Sequence, residues 1–451
     1  MPKKAIQLSD HFTYSRLLRF VLPCIGTMLF TSIYGIVDGL CVSNFVGKTA
    51  FAAVNLIMPL PMLLGTIGFM LGTGGSAIVG ITLGEGDQKK ADRYFTLFLL
   101  AALVSVSVLA VLGIVFLRPI AVLLGAKGEL LDYAVRYGRI LMVSLPTFAL
   151  QNMFQSFFVT AEKPHLGFWF TVGAGCTNMV LDVLMVGIWG WGVEGAAIAT
   201  FISQLVGGVL PVFYFIDRSN SSRLHLCKTS FYSKVLRDAC INGSSELMTN
   251  LSMSLVNILY NYQLLRFAGE NGVAAYGVIM YAAFLFVAVF VGYAVGSAPI
   301  VSYHYGARNH AELNNLYSKS LRLIGVIAVV MTALSMLVIP YVARIFVGYD
   351  AELLALTSHA FRVYALNFFL MGFNVYGSSF FTALGDGVTS ALISFLRTLL
   401  FQLLALIFLP MVLGIEGVWL AVTAAEAGAL CVTVLMFITK DKVFHYRKAS
   451  C

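Results

Sequence analysis

Long apolar runs broken by short polar gaps fill almost the whole chain. Runs of roughly 20 residues, enough to cross a hydrocarbon core as a helix, fall near 16–43, 52–81, 94–117, 133–161, 166–189, 192–216, 234–265, 272–303, 316–347, 355–383, 388–412 and 415–438. The pattern predicts an all-α integral membrane fold of twelve transmembrane helices, here called spans 1 to 12. Two boundaries are glycine-rich turns inside otherwise continuous apolar stretches, at Gly190–Gly195 and Leu413–Gly417. An even number of crossings puts both termini on one side.

The pattern also repeats. Displaced by 222 positions, Phe45 falls on Phe267, Gly47 on Gly269, Gly74 on Gly296, Gly84 on Gly306, Thr160-Ala161 on Thr382-Ala383, and the turn at Gly192–Gly195 on that at Gly414–Gly417. A constant offset over so much of the chain means two copies of one apolar unit. The expected domains are an N-terminal lobe at 1–216, a linker at 217–233 and a C-terminal lobe at 234–451. Duplicated membrane halves around a central path are the architecture of secondary transporters.

Composition removes the soluble alternatives. Hydrophobic residues make up 59% of the chain and charged residues 11%, well under the charged share of a soluble domain. The excess of 29 basic over 21 acidic residues does not imply nucleic acid, because the basic residues sit in the gaps between runs. Assigned to alternate sides, 20 of them lie with the termini and eight, including Lys48, on the other side. The positive-inside rule then makes the termini and the linker cytoplasmic, in a multi-pass protein of the cell membrane. No cleaved signal peptide is expected from the polar, basic start.

Metal and phosphate chemistry find little support. The seven cysteines form no C-x-x-C pair and read as packing residues. Gly72-Thr73-Gly74-Gly75-Ser76 lacks the rest of a phosphate loop and reads as a site of close helix contact. His304, between Tyr303 and Tyr305, reads as part of an interfacial aromatic belt.

Charges inside the spans are costly in lipid and are functional candidates by default. Five are present: Asp38, Asp182, Glu246, Arg397 and Glu426. Counting helix rise places Asp38 and Asp182 in the same half of the membrane, with Asn178 one turn before Asp182 and Thr200 at a similar depth. Two carboxylates with amide and hydroxyl oxygens suit Na⁺ and equally suit a held proton. Arg397 and Glu426 come out at matching depth and read as a structural ion pair. Glu246, counted near the middle of span 7, lies on a polar helix with Asn242, Ser244, Ser245, Asn250 and Asn257, which predicts a cavity lining. Tyr260 and other aromatic or Met side chains are candidates for an adaptable apolar pocket.

Three segments carry a resemblance to a known family. Ile33–Asn55, Gly72–Asp87 and Asn178–Gln204 resemble the multidrug and toxin extrusion (MATE) family, in its prokaryotic DinF-like branch, and the likeness covers essentially the whole chain. The resemblance implies two six-helix lobes around a cleft, no enzyme activity, and exchange of Na⁺ or H⁺ for small organic cations by alternating access. It implies a cation site at Asp38, Asn178, Asp182 and Thr200, with Tyr34 and Asn152 as polar cavity positions beside it. No cofactor beyond a coupling ion and no nucleic-acid partner are expected, and the protein is expected to be a monomer. Two related readings are a lipid-linked oligosaccharide flippase of the same superfamily and a major-facilitator transporter. The first expects further helices and a basic cavity, and the second expects a basic loop after span 2 that Leu83–Lys90 does not supply.

Overall fold

The computed structural model describes residues 6–46 and 48–447, with the side chains of residues 40, 42–44 and 48 excluded. Gly47, Lys3, Lys4, Lys448, Cys451 and the side chain of Lys48 therefore lie outside the described residues. Twelve helices cross in two six-helix lobes. The N-terminal six are Tyr14–Phe45, Thr49–Gly84, Gln88–Leu123, Glu129–Thr160, Pro164–Ile188 and Gly192–Ile216. The C-terminal six are 244–268, 270–306, His310–Val347, Ala351–Ala383 with a 46° bend at residues 366–367, Gly387–Leu413 and Ile415–Thr439.

Among the described residues, nine helices are apolar and long enough to cross alone, and ten if the bent pair of span 10 counts as one. The other two crossings have specific explanations. Ser244–Gly306 is continuous in hydrogen bonding over 63 residues, but Gly269 at φ 59° and ψ −149° folds it back on itself as spans 7 and 8. Glycine alone adopts that conformation without strain. Span 4 falls short in apolarity because it carries Gln151, Asn152 and Gln155. The first two are 7% and 5% exposed, so they face the bundle and not lipid.

The repeat reaches the local chemistry of the helix ends. Spans 2 and 8 end at Gly84 and Gly306, and spans 3 and 9 are capped by Asp87 and Asn309, each accepting a backbone N–H three residues on. Asn or Asp at an N-cap satisfies a donor the helix itself leaves free.

The sequence pattern ran span 7 from residue 234, and the chain does otherwise. A separate amphipathic helix, Ser233–Asn242, packs on spans 2, 3 and 11, and the crossing helix starts at Ser244. Gly243 makes the break: a Cβ there would overlap the Met70 carbonyl, and beside it the buried Asn242 amide donates to the Thr382 carbonyl at 2.8 Å. Glu246 therefore sits in the first turn of its helix, not near its middle. His304 is 2% exposed and lies edge-on to Phe12, so it is packed inside the protein and does not form an interfacial belt. Cys176 and Cys431 are exposed, unlike the buried Cys24, so not all the cysteines are packing residues.

The lobes meet at the face that carries the termini. There Gly84 presses on the Tyr303 carbonyl and Gly306 on the Ile81 carbonyl, joining spans 2 and 8 at backbone distance. The seam between spans 1 and 8 starts equally tight, with Gly292 against Ile25 and Gly296 against Val21 and Cys24. Ser32 touches the Phe284 carbonyl at 3.5 Å. Farther along the same faces, Gly35, Gly39 and Gly277 have nothing within 4 Å of a built Cβ. The seam therefore opens away from the termini, giving a cleft closed at one end.

Residues 6–13 seal the closed end. The Leu8 amide donates to Glu162, at the turn between spans 4 and 5, at 2.8 Å. The Phe12 amide donates to Glu312, at the start of span 9, at 2.9 Å. Arg223 of the linker pairs with the same Glu162 at 2.6 Å and lies over the Tyr303 ring. One short segment thus ties the N-terminal lobe to the C-terminal lobe, with Leu8 and Phe12 both 0% exposed.

Candidate functional site

The sequence-selected residues fall into two centres, one per lobe. In the N-terminal lobe spans 1, 5 and 6 pack on one another, and the Asp38 and Asp182 carboxyl groups face each other within hydrogen-bonding reach. Asp182 is 0% exposed and ends the regular part of span 5, where the helix passes into a π-helical stretch, Val183–Ile188. Such bulges recur at functional sites because they re-aim a side chain without breaking the helix. Asn178, one turn earlier, is 2% exposed.

The hydrogen bonding at this centre is incomplete. Asp38 Oδ1, both Asp182 oxygens, Asn178 Nδ2 and Asn152 Nδ2 are buried without a partner among the described residues. Ionised carboxylates are acceptors only, so two facing each other have no bond to share until a proton or a cation comes between them. Buried polar groups in native proteins are paired as a rule, and the facing carboxyl oxygens of this cluster suit either a proton or a hard monovalent cation. Thr200 is half-buried on span 6, its carbonyl accepting the Ser203 hydroxyl at 2.9 Å, and among the described residues no hydrogen bond joins it to either carboxylate.

Several neighbours were not singled out from sequence. Tyr137 of span 4, 1% exposed, lies close enough to feel the charge of both aspartates, as Tyr34 does that of Asp38. Gln151 and Gln204 each bury an unpartnered amide oxygen. The signal available for Gln151 was its place beside Asn152 in an apolar run. Tyr34 itself packs its ring against Gly175 of span 5, where a built Cβ would come within 3.0 Å.

The second centre is a cavity of about 380 Å³, walled almost entirely by the C-terminal lobe. Glu246, Asn257 and Tyr260 of span 7 line it, as do Arg397 and Glu426, whereas Tyr34 and Asn152 do not. Tyr260 and Tyr276 stack at 4.8 Å and 10° on its wall, with Tyr364, Met280 and Met371 close by. Arg397 sits on the second π-helical stretch, Leu396–Leu400, and its Nε donates to Glu426 at 2.8 Å. Glu426, 0% exposed, also accepts from the Asn374 amide at 2.7 Å, and Asn374 in turn accepts the Thr433 hydroxyl at 2.8 Å. The two π stretches do not correspond under the repeat: each marks the charged centre of its own lobe. Asn374 and Thr433 were readable as polar residues inside spans 10 and 12.

Comparison with known proteins places this geometry in a family. The MatE family model matches the chain twice, over residues 23–184 and again over 247–407, one match per lobe. The chain belongs to the MatE family. MatE proteins are membrane transporters and not enzymes, which fits a chain whose charged centres lie inside the membrane. Among curated relatives, the multidrug export protein MepA of Staphylococcus saprophyticus is 20% identical over 434 residues, covering 95% of each chain. MepA of Staphylococcus aureus strain MSSA476 is 21% identical over 433 residues with the same coverage. Among solved structures, a MATE protein in complex with MaL6 aligns with a TM-score of 0.92 at 24% identity over 98% of this chain and 99% of that one. A MATE family multidrug resistance transporter in an outward-facing conformation aligns at 0.91 and 24% over 99% of both chains. A MOP superfamily transporter from Pyrococcus furiosus aligns at 0.89 and 25% over 98% of this chain and 99% of that one. These alignments carry the MatE fold across the full chain.

Proposed function

We propose that this MatE transporter exports lipophilic organic cations from the cell in exchange for inward-moving Na⁺ or H⁺, with Asp38 and Asp182 as the coupling site. The observation that carries the reading is the pair of facing carboxylates, three of whose oxygens are buried with no donor among the described residues. Asn178 completes the polar set, with the half-buried Thr200 on the neighbouring span 6 as a further hydroxyl. The MepA relatives are described as multidrug export proteins, which favours drugs and toxic metabolites as cargo.

The charge bias of the gaps makes the termini cytoplasmic, so a cleft closed at the termini face is open to the outside of a cell membrane. In that state the aspartates are reached from outside, and a cation or proton bound there neutralises them. Coupling needs the ion and the cargo to prefer different states, since a ligand that binds both equally shifts nothing. The N-terminal lobe carries the ion and the C-terminal cavity the cargo, and the tie at residues 6–13 must release for the cleft to reopen inward.

The test uses purified protein in liposomes with Na⁺ and pH gradients imposed separately. Uptake of a fluorescent organic cation driven by one of the two gradients is expected, and uptake indifferent to both would refute the antiport.

A further inference from the structure

Spans 7 and 11 leave a second, smaller cavity between them, at the membrane face opposite the termini. Its volume is about 220 Å³, and it is lined by Gln263, Arg266 and Phe267 of span 7 and by Ile407, Pro410 and Met411 of span 11. None of these residues lines the larger C-terminal cavity. Arg266 stands just before Gly269, where the chain folds back into span 8, and Pro410 just before the end of span 11 at Leu413. At about 1.5 Å of rise per residue, both lie within a helical turn of the interface.

The two polar side chains of this cavity are held differently. Pro410 has no N–H, so the Leu406 carbonyl one turn earlier loses its helical partner, and the Gln263 Nε2 replaces it at 2.8 Å. That bond decides which way the amide is turned, because only its nitrogen can donate to a carbonyl. Gln263 is 7% exposed, and its amide oxygen is buried with no donor among the described residues. Such an acceptor is costly to leave unpaired, and all that the side chain still has to offer a ligand is that oxygen. Arg266 is exposed, lies over the Phe267 ring at 5.4 Å, and makes no ion pair or hydrogen bond among the described residues. The border is apolar, with Met411 72% and Ile407 39% exposed.

A cation without a counter-charge, an acceptor without a donor and an exposed apolar border meet at one membrane surface. The space is below the roughly 300 Å³ at which pockets for drug-sized ligands begin, so it suits a headgroup and not a cargo molecule. A phosphodiester anion answers the guanidinium, which matches phosphate oxygens with two N–H groups. A hydroxyl answers the Gln263 oxygen without adding charge, whereas an ammonium headgroup would bring a second cation beside Arg266. We propose that this cavity binds the headgroup of a phosphatidylglycerol-type phospholipid from the leaflet opposite the termini, with Arg266 holding the phosphodiester, Gln263 accepting a glycerol hydroxyl and the acyl chains lying over Ile407 and Met411. The site depends on neither the exported cargo nor the coupling ion.

The full-length protein in neutral detergent is titrated with dioctanoyl phosphatidylglycerol, and native mass spectrometry reads the affinity for the first lipid bound. Dioctanoyl phosphatidylcholine, which keeps the phosphodiester but has no donor, is expected to bind about tenfold more weakly. Glycerol 3-phosphate, the headgroup without chains, is expected not to displace the lipid. Arg266→Gln should lower phosphatidylglycerol affinity about tenfold, while Arg344→Gln, at the same face in the last turn of span 9, leaves it unchanged. Met411→Trp fills the cavity from an exposed position, where folding is retained, and should lower the affinity as well. Affinity unmoved in both Arg266→Gln and Met411→Trp overturns the site, and so does an equal loss in Arg266→Gln and Arg344→Gln, which would mean attraction by surface charge alone. Phosphatidylcholine bound as tightly as phosphatidylglycerol overturns the headgroup assignment, and displacement by glycerol 3-phosphate overturns the lipid in favour of a soluble phosphate.

Discussion

Replacing Arg397 is predicted to cost more stability than replacing its partner, because the two ends of the pair are buried unequally. Glu426 is 0% exposed, so Arg397→Met strands a carboxylate with no cation, a loss of about 3–5 kcal/mol. Glu426→Gln leaves a guanidinium that lines the cavity and is less deeply buried, 13% exposed against 1%, so the loss is nearer one charge-assisted hydrogen bond, about 1.5–3 kcal/mol. In Arg397→Met/Glu426→Met no charge is stranded, and the Asn374 amide keeps the Glu426 backbone carbonyl at 2.9 Å as its acceptor. The double variant is expected within about 1 kcal/mol of the wild type. Unfolding by SDS titration in mixed micelles reads the three values, with the fluorescence of Trp419, 1% exposed on span 12, as a local probe. A double variant as unstable as the sum of the singles would refute the account, since the two residues would then act independently.

Gly84→Val places atoms on the Tyr303 carbonyl at the closed seam and is expected to cost about 1–3 kcal/mol of that closure, read as raised labelling of cysteines introduced along spans 2 and 8 from the termini face. Glu162→Ala removes the acceptor shared by the Leu8 amide and Arg223 and should speed proteolysis of residues 6–13 by severalfold, whereas an unchanged rate would deny the tie. Asp386, at the turn before span 11, is disfavoured as an anion by burial, but bonds from Lys440 and Thr389 and the Lys440 charge outweigh this and hold its carboxyl below the ordinary value. Its folded pKa is depressed, so the pair stabilises above the unfolded pKa and loses that effect as pH falls through the folded one. The stability gap between wild type and Lys440→Met, about 1 kcal/mol at pH 6, should close toward pH 3, and a gap that widens on acidification would contradict the assignment.

Most of the architecture was legible because lipid imposes one rule on every crossing and the repeat doubles the signal. Gly84 and Gly306, Asp87 and Asn309 end and begin the same helices in both lobes. The break at Gly243 was not legible. A glycine within a polar stretch of span 7 looks the same whether it bends the helix or only lets a neighbour approach, and here the Met70 carbonyl decides. Asp38 and Asp182 announced themselves as charges at one depth, and Arg397 with Glu426 likewise. The π stretches, one directly after Asp182 and one holding Arg397, have no residue signature. Tyr137 and His304 were hidden for another reason: aromatic rings are ordinary in membrane spans, and only packing tells a lipid-facing ring from one at a charged centre or under the N-terminal segment.

The central claim is that the aspartate pair couples ion entry to export. Asp38→Asn and Asp182→Asn keep the shape of the side chains while removing the charge an ion must neutralise. Reconstituted at equal protein and lipid, both are expected to lose gradient-driven uptake of the organic cation by about a hundredfold or more, while still binding the cation in the C-terminal cavity. Gradient-driven uptake at the wild-type rate in both variants would contradict the account.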